Sequence, residues 1–196
     1  NSFDYMNDKF KDICYIDNGE QSLKLLLSER SNLFRTYYSI PLSKTHSKIF
    51  VDDISPRTKT FYLYSIGERI IEIVRMNFET NNYTKLILYA DKPIEDLKIS
   101  SDLLKDWQTL SILSKKEGNL FMQIHGLRNF RKASSVLYTV TSEVEKAWLA
   151  LSVYKDIYSF SRSGNKIELA KSVFDKKIVE KKTLLNFDIS AKENLS

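Results

Sequence analysis

The sequence predicts an α/β protein, with a central, mainly parallel sheet flanked by helices and a small helical region after it. Three observations point there. Between residues 59 and 125, apolar runs of strand length alternate with segments of helical period, the order expected of strand–helix–strand units. The segment SDLLKDWQTLSILSKKEG (101–118) has an N-cap candidate in Ser101, apolar residues at 103, 104, 107, 110 and 113, and a glycine stop. The segment SEVEKAWLALSVYKDIYSF (142–160) opens like a capping box, Ser142 to Glu145.

Taken in order, ICYI (13–16) is a short apolar strand that ends in Asp17. GEQSLKLLLSER (19–30) follows as a helix, on the spacing of Leu23, Leu26 and Leu27. LFRTYYSIPL (33–42) is β-branched and aromatic, a strand that KIFV (48–51) is placed to pair with. KTFYLYSI (59–66) is another strand. ERIIEIVRMNF (68–78) is a helix, with Ile70, Ile73, Val74 and Asn77 on one face. TKLILYAD (84–91) is a buried strand closed by Asp-Lys-Pro, and NLFMQIHG (119–126) is the last core strand. Two short helices, 166–175 and 177–186, follow a Ser-Gly-Asn turn at 163–165. The alternative is an antiparallel sandwich of the pleckstrin-homology kind, with 119–160 as its last two strands and closing helix.

The chain has 196 residues, 42% hydrophobic and 28% charged, the composition of a folded protein. No apolar run approaches the roughly 20 residues of a membrane-spanning helix, and no membrane partner is expected. The first residues, NSFDYMNDKFKD, have no basic-then-apolar leader, and the missing initiator Met suggests a fragment of a longer protein. With one cysteine (Cys14) and two histidines (His46, His125), neither an internal disulfide nor a structural zinc site is expected. A reducing compartment fits this usage. Charge is uneven: residues 1–56 hold 7 basic and 8 acidic side chains (7 − 8 = −1), and 57–196 hold 23 and 17 (23 − 17 = +6). A basic second half suits an acidic partner such as nucleic acid, or is a solvated surface.

Laid end to end, these elements resemble the XPF family of structure-specific endonucleases and their inactive partner subunits. YIDNGEQSLKLLL resembles its first strand and helix, TFYLYSIGERIIEIV its signature strand and helix, TKLILYADKPI its buried strand and exit, and LFMQIHG its last core strand. DIYSFSRSGNKIELAKSVF resembles a helix-hairpin-helix. The resemblance implies a nuclease-like domain over 1–141 and a degenerate helix-hairpin-helix region over 142–196.

It also implies a lost active site. Tyr62, Leu63 and Tyr64 stand where the family carries Glu, Arg and Lys, and Glu68 where it carries the final Asp. The Gly-Asp position falls near Ser43 and Lys44, with no carboxylate. Asp17 and Glu20 survive, but hard cations need several oxygen ligands in a set geometry. Asp17 as a helix cap, with Glu20 and Glu68 in first helical turns, explains all three acids without a metal. No cofactor and no metal are expected.

The resemblance thus implies a catalytically inactive subunit that pairs with a second XPF/helix-hairpin-helix-type chain as a heterodimer. It would bind branched DNA as a scaffold in the nucleus, on chromosomes, closest in type to the family's meiotic crossover members. The alternatives are a residual metal-dependent nuclease and a pleckstrin-like lipid or protein interaction module. DNA contacts are expected at the hairpin, Arg162, Ser163, Gly164, Asn165 and Lys166, with charge added by Lys171, Lys176 and Lys177. A second stretch, Arg128, Arg131 and Lys132 around Phe130, mixes basic and aromatic side chains as single-strand binders do. Phe130 packed inward with solvated arginines is the competing explanation. Trp107 and Trp148 read as core or interface residues, and His125 as a core residue rather than a ligand.

Overall fold

A computed structural model of the chain describes residues 2–3, 12–30, 33–52, 57–102, 107–117, 119–128, 130–141, 146–151, 157–175 and 178–188. Among them there is no helix. The first sheet joins β1 (Ser2–Phe3), β2 (Asp12–Asp17), β3 (Ser22–Arg30) and β4 (Leu33–Pro41). The second joins β5 (Lys48–Asp52), β6 (Thr58–Tyr64), β7 (Ile70–Asn77) and β8 (Asn82–Tyr89). The third holds β9 (Ile94–Asp102), β10 (Trp107–Lys116), β11 (Asn119–Arg128) and β12 (Arg131–Thr141). The fourth holds β13 (Lys146–Leu151), β14 (Ile157–Ser163), β15 (Lys166–Asp175) and β16 (Ile178–Asp188). Every pairing is antiparallel and between sequence neighbours. Each sheet is therefore a four-stranded meander, the build of a β-propeller blade. The chain divides into two compact units, Asn1–Tyr89 and Ala90–Ser196.

This corrects the expected α/β class. Tyr62 and Leu86 do share a sheet, but β6 and β8 are joined through an antiparallel β7, with no parallel core. The segments expected as helices at 19–30, 68–78 and 101–118 contain β3, β7 and β10, and 142–160 contains β13 and part of β14. The two terminal helices are β15 and β16. The antiparallel all-β alternative lies nearer.

The physical reason is visible in burial. Leu23, Leu25 and Leu27 are all buried, a period of two on one sheet face. In β7, Ile71, Glu72, Ile73 and Val74 are each fully buried, so both faces are covered. A strand covered on both faces reads as a continuous apolar run, and such a run also satisfies a helical template.

In the first unit, the two sheets meet face to face. Cys14, Leu23, Leu25, Leu27 and Ile40 of the first sheet cluster with Phe61, Leu63, Val74 and Met76 of the second. The cross-strand rows Phe61–Val74–Lys85 and Leu63–Glu72–Ile87 lie on that same face of the second sheet. Tyr62, Ile71, Ile73 and Leu88 lie on its other face and are buried too. In the second unit, the core holds Leu97, Ile99, Leu110, Ile112, Met122 and Ile124. The Asp96 carboxylate of β9 accepts the Leu149 N–H of β13 at 2.8 Å, tying those two sheets together.

Two hairpins share one turn design. Asp17 Oδ1 accepts the N–H groups of Gly19 (3.0 Å) and Glu20 (3.1 Å), and Gln21 has φ of 51°. Asn77 Oδ1 accepts those of Glu79 (3.0 Å) and Thr80 (3.2 Å), and Asn81 has φ of 54°. A short polar side chain satisfies the turn amides, and a left-handed residue returns the chain.

Candidate functional site

The most concentrated polar chemistry among the described residues is a node around Glu72, whose side chain is fully buried. Strand alternation turns Glu72 toward the first sheet, beside Val74 and Leu63. Its Oε2 accepts Ser43 Oγ at 2.6 Å and Ser43 N at 2.9 Å, and lies 3.3 Å from His46 Nε2. Its Oε1 meets Lys85 Nζ of β8 at 2.6 Å. Lys85 also donates to the Pro41 carbonyl at 2.7 Å. Burial alone would push the Glu72 carboxyl up, but the donors from His46, Lys85 and Ser43 outweigh it and hold the pKa down to about 2. Because Glu72 is ionised, the His46 proton is assigned to Nε2. His46 Nδ1 is buried and has no partner.

The node fixes the segment 42–47 that carries the chain from the first sheet to the second. Leu42 N–H donates to Gln21 O at 2.9 Å, and Ser47 N–H to Tyr64 O at 3.2 Å. Beside this segment is an open cleft of about 450 Å³. Cys14, Tyr15, Ile16 and Asn18 line one side, and His46, Ser47, Lys48 and Ile49 the other. Burial pushes the Cys14 thiol up to about 11, so it is not a thiolate at neutral pH.

A second feature lies on the strand that Lys85 belongs to. β8 is the last strand of its sheet, and no described strand pairs with its outer edge. Tyr83, Ile87 and Tyr89 share one face of it and are 43%, 39% and 62% exposed. Lys85 falls in the same row, but it is drawn in to Glu72 and Pro41.

The residues expected to form an emptied nuclease site do not converge. Tyr62 and Leu63 are fully buried and Tyr64 nearly so. Tyr62 Oη has no partner, and burial pushes its hydroxyl pKa well up. Asp17 does cap, as expected, but it caps a hairpin turn instead of a helix. Glu20 pairs with Lys24, and Glu68 with Lys44 at 3.0 Å. No three acids, histidines or cysteines gather into a metal-binding group among the described residues.

The expected DNA contacts fall on two turns of the second unit. Arg128 ends β11 opposite Arg131, Phe130 sits in the turn with φ of 57°, and Arg131 and Lys132 are exposed. The supposed helix-hairpin-helix is the β14–β15 hairpin, with Arg162 and Ser163 on one strand, Gly164 and Asn165 in the turn, and Lys166 on the other. Arg162 Nε donates to Gly164 O at 3.0 Å. A hairpin has no helix N-terminus, so the phosphate cradle drawn for this segment is replaced by exposed side chains. Lys171 lies in β15, and Lys176 and Lys177 lie outside the described residues.

No family model and no curated protein matches the sequence. A solved structure does: hydrazine synthase of Kuenenia stuttgartiensis, with a TM-score of 0.58 at 9% identity over 93% of this chain. The likeness is one of fold. The chain spans about half of that protein, 53% of its length. Sixteen antiparallel strands overturn the XPF resemblance: the parallel core and the helical hairpin that carried it are absent among the described residues.

Sequence reasoning missed the Glu72 node. In IIEIV, Glu72 falls off the helical face drawn through Ile70, Ile73 and Val74. Its signal is a lone acid in a β-branched apolar run, which on a strand has to be buried and paired.

Proposed function

We propose that this chain is a non-catalytic scaffold that holds a protein partner by adding an extended segment of that partner to β8. One observation carries this: β8 combines an outer edge unpaired by any described strand with an exposed row of Tyr83, Ile87 and Tyr89. Backbone N–H and C=O groups on such an edge supply affinity, and alternate side chains supply selectivity. Edge strands are normally guarded by charge. Here the one charged residue of the row, Lys85, is committed to Glu72 and the Pro41 carbonyl, which leaves the edge open.

The test is an array of extended peptides screened against the wild type and an Ile87→Lys/Tyr89→Lys variant. Peptides bound by the wild type lose binding in the variant but keep it in Phe34→Lys, which alters an exposed aromatic of the first sheet. Binders indifferent to the β8 changes overturn the proposal. Self-association of the wild type that the variant abolishes identifies the occupant as a second copy.

A second reading, nucleic-acid binding by the second unit, is favoured by the exposed Arg131, Lys132, Arg162 and Lys166 at its turns and by the net +4 of residues 90–196 (18 − 14). It predicts duplex or branched DNA binding that weakens steeply with salt and falls in Arg162→Ala/Lys166→Ala. Salt-independent binding, or none at low salt, refutes it.

A further inference from the structure

We propose that β8 pairs with the β8 strand of a second copy of this chain, antiparallel about a two-fold axis at Leu86. This rests on the β8 reading above and names the occupant of that edge.

The strand is complementary to itself. Across a two-fold axis, residue i meets residue j of the other copy and j meets i. With the axis at Leu86, Tyr83 stands opposite the second copy's Tyr89, and Lys85 opposite its Ile87. On the other face of the strand, Thr84 stands opposite Leu88, and Leu86 opposite its own counterpart. Aromatic pairs directly across a ladder are favourable, and this register makes the Tyr83–Tyr89 pair twice. The neighbouring registers are poorer. An axis at Lys85 sets two lysines against each other, and like charges directly opposite destabilise. An axis at Ile87 throws Tyr83 against Asp91, beyond the end of the strand, and leaves only 85–89 paired.

The edge is ready for this partner. All of β8, Asn82 to Tyr89, is in register with β7 on its inner side. The N–H and C=O groups of alternate residues therefore turn outward. Tyr83, Ile87 and Tyr89 are exposed, and Lys85 is already bound to Glu72 and the Pro41 carbonyl, so no free ammonium of this row stands in the ladder. Association also stops at two copies. The other edge of the sheet is β5, half-buried from Ile49 to Asp52, so the joined sheets present no second open edge of this kind. One strand pair is small for a stable interface, and the dimer is expected to depend on concentration.

Sedimentation velocity of the full chain, over a concentration series, is expected to show monomer giving way to dimer, with Ile87→Lys/Tyr89→Lys monomeric throughout. The register is read with Tyr83→Cys and Tyr89→Cys, both at exposed positions, and a short bismaleimide. Cys14 is buried, and the wild type serves as the blank. A mixture of the two variants is expected to cross-link, and neither variant alone. Position 83 lies six residues (89 − 83) from its own counterpart, about 20 Å along the strand. A peptide of the β8 sequence, NYTKLILY, is expected to cut the cross-linking at least fivefold, and a scrambled peptide to leave it unchanged. A chain that stays monomeric while array peptides bind the β8 edge overturns the second copy and leaves the β8 reading standing. A monomer with no edge-binding peptide overturns both. Cross-linking of either variant alone at the rate of the mixture, or a dimer that survives Ile87→Lys/Tyr89→Lys, also overturns the proposal.

Discussion

Glu72→Gln keeps the shape of the side chain and removes its charge. The carboxylate accepts from both ends: Ser43 and His46 on Oε2, and Lys85 on Oε1. An amide replaces one oxygen with an NH2, so one set of donors meets another donor. Loss of a charge-assisted hydrogen bond and the mismatch left behind cost about 3 kcal/mol. Linkage gives a similar figure. A carboxyl lowered from 4.5 to about 2 in a fully buried side chain corresponds to roughly 3 kcal/mol at about 1.4 kcal/mol per unit. For a chain of this length that is a fall in melting temperature of roughly 6–12 °C. Urea unfolding at pH 7, followed by tryptophan and tyrosine fluorescence, measures it. The sign is checked against pH: a depressed carboxyl stabilises fully above 4.5, and the contribution is lost as pH falls toward 2. The wild-type-minus-variant difference therefore stays constant above about pH 5 and shrinks below 4.5. Adding Lys85→Met to Glu72→Gln costs less than the sum of the two single changes. A variant within about 0.5 kcal/mol of wild type, or a difference that does not vary with acid, would refute the account of the node.

The second unit has its own acid response. His125 is fully buried with neither ring nitrogen bonded, and burial, then the charge of Lys132, lowers it to about 4 against a weak opposing effect of Asp91. Its stabilising effect is complete above the unfolded value of 6.5 and is lost as pH falls to 4, by up to about 3 kcal/mol. His125→Leu removes that slope from a stability–pH curve. Leu63→Ala, at a fully buried position on the face that meets the first sheet, costs about 3 kcal/mol in urea unfolding. Asp17→Ala, which frees two turn amides, costs about 1 kcal/mol, and magnesium changes the melting temperature of neither this variant nor the wild type.

Where strands are short and bounded by breakers, the sequence announces them. The strands expected at 13–16, 48–51, 59–66 and 119–126 match β2, β5, β6 and β11 closely. Helices were inferred where apolar residues run together, and in β7 and at 110–114 of β10 both faces of the strand are buried. ERIIEIVRMNF fits helical spacing at Ile70, Ile73 and Val74, yet Ile71 and Glu72 between them are as fully buried as Ile73 and Val74, and more so than Ile70. Alternation was legible in SLKLLLS at Leu23, Leu25 and Leu27, but Leu26 filled the gap with a competing period. DNGEQ was read as a strand-to-helix junction because an Asp that caps a helix and an Asp that caps a turn bond the same nearby amides. The segment ahead of β13, SEVE, imitates a capping box but is followed by a strand. Of the candidate residues, His125 was legible as a core residue. The Glu72 node was not, because its partners lie in a linker and a neighbouring strand, 13 to 29 positions away.

A meander that ladders only with its own sequence neighbours has a consequence for descent. A segment of 40 to 48 residues, the span of one sheet, can be copied, lost or exchanged whole without breaking a hydrogen-bonded ladder, provided that a new joint meets the next sheet. In such lineages, chain length changes in steps of one sheet and sequence drifts freely between steps. That allows an architecture to persist where little of the amino-acid sequence is kept.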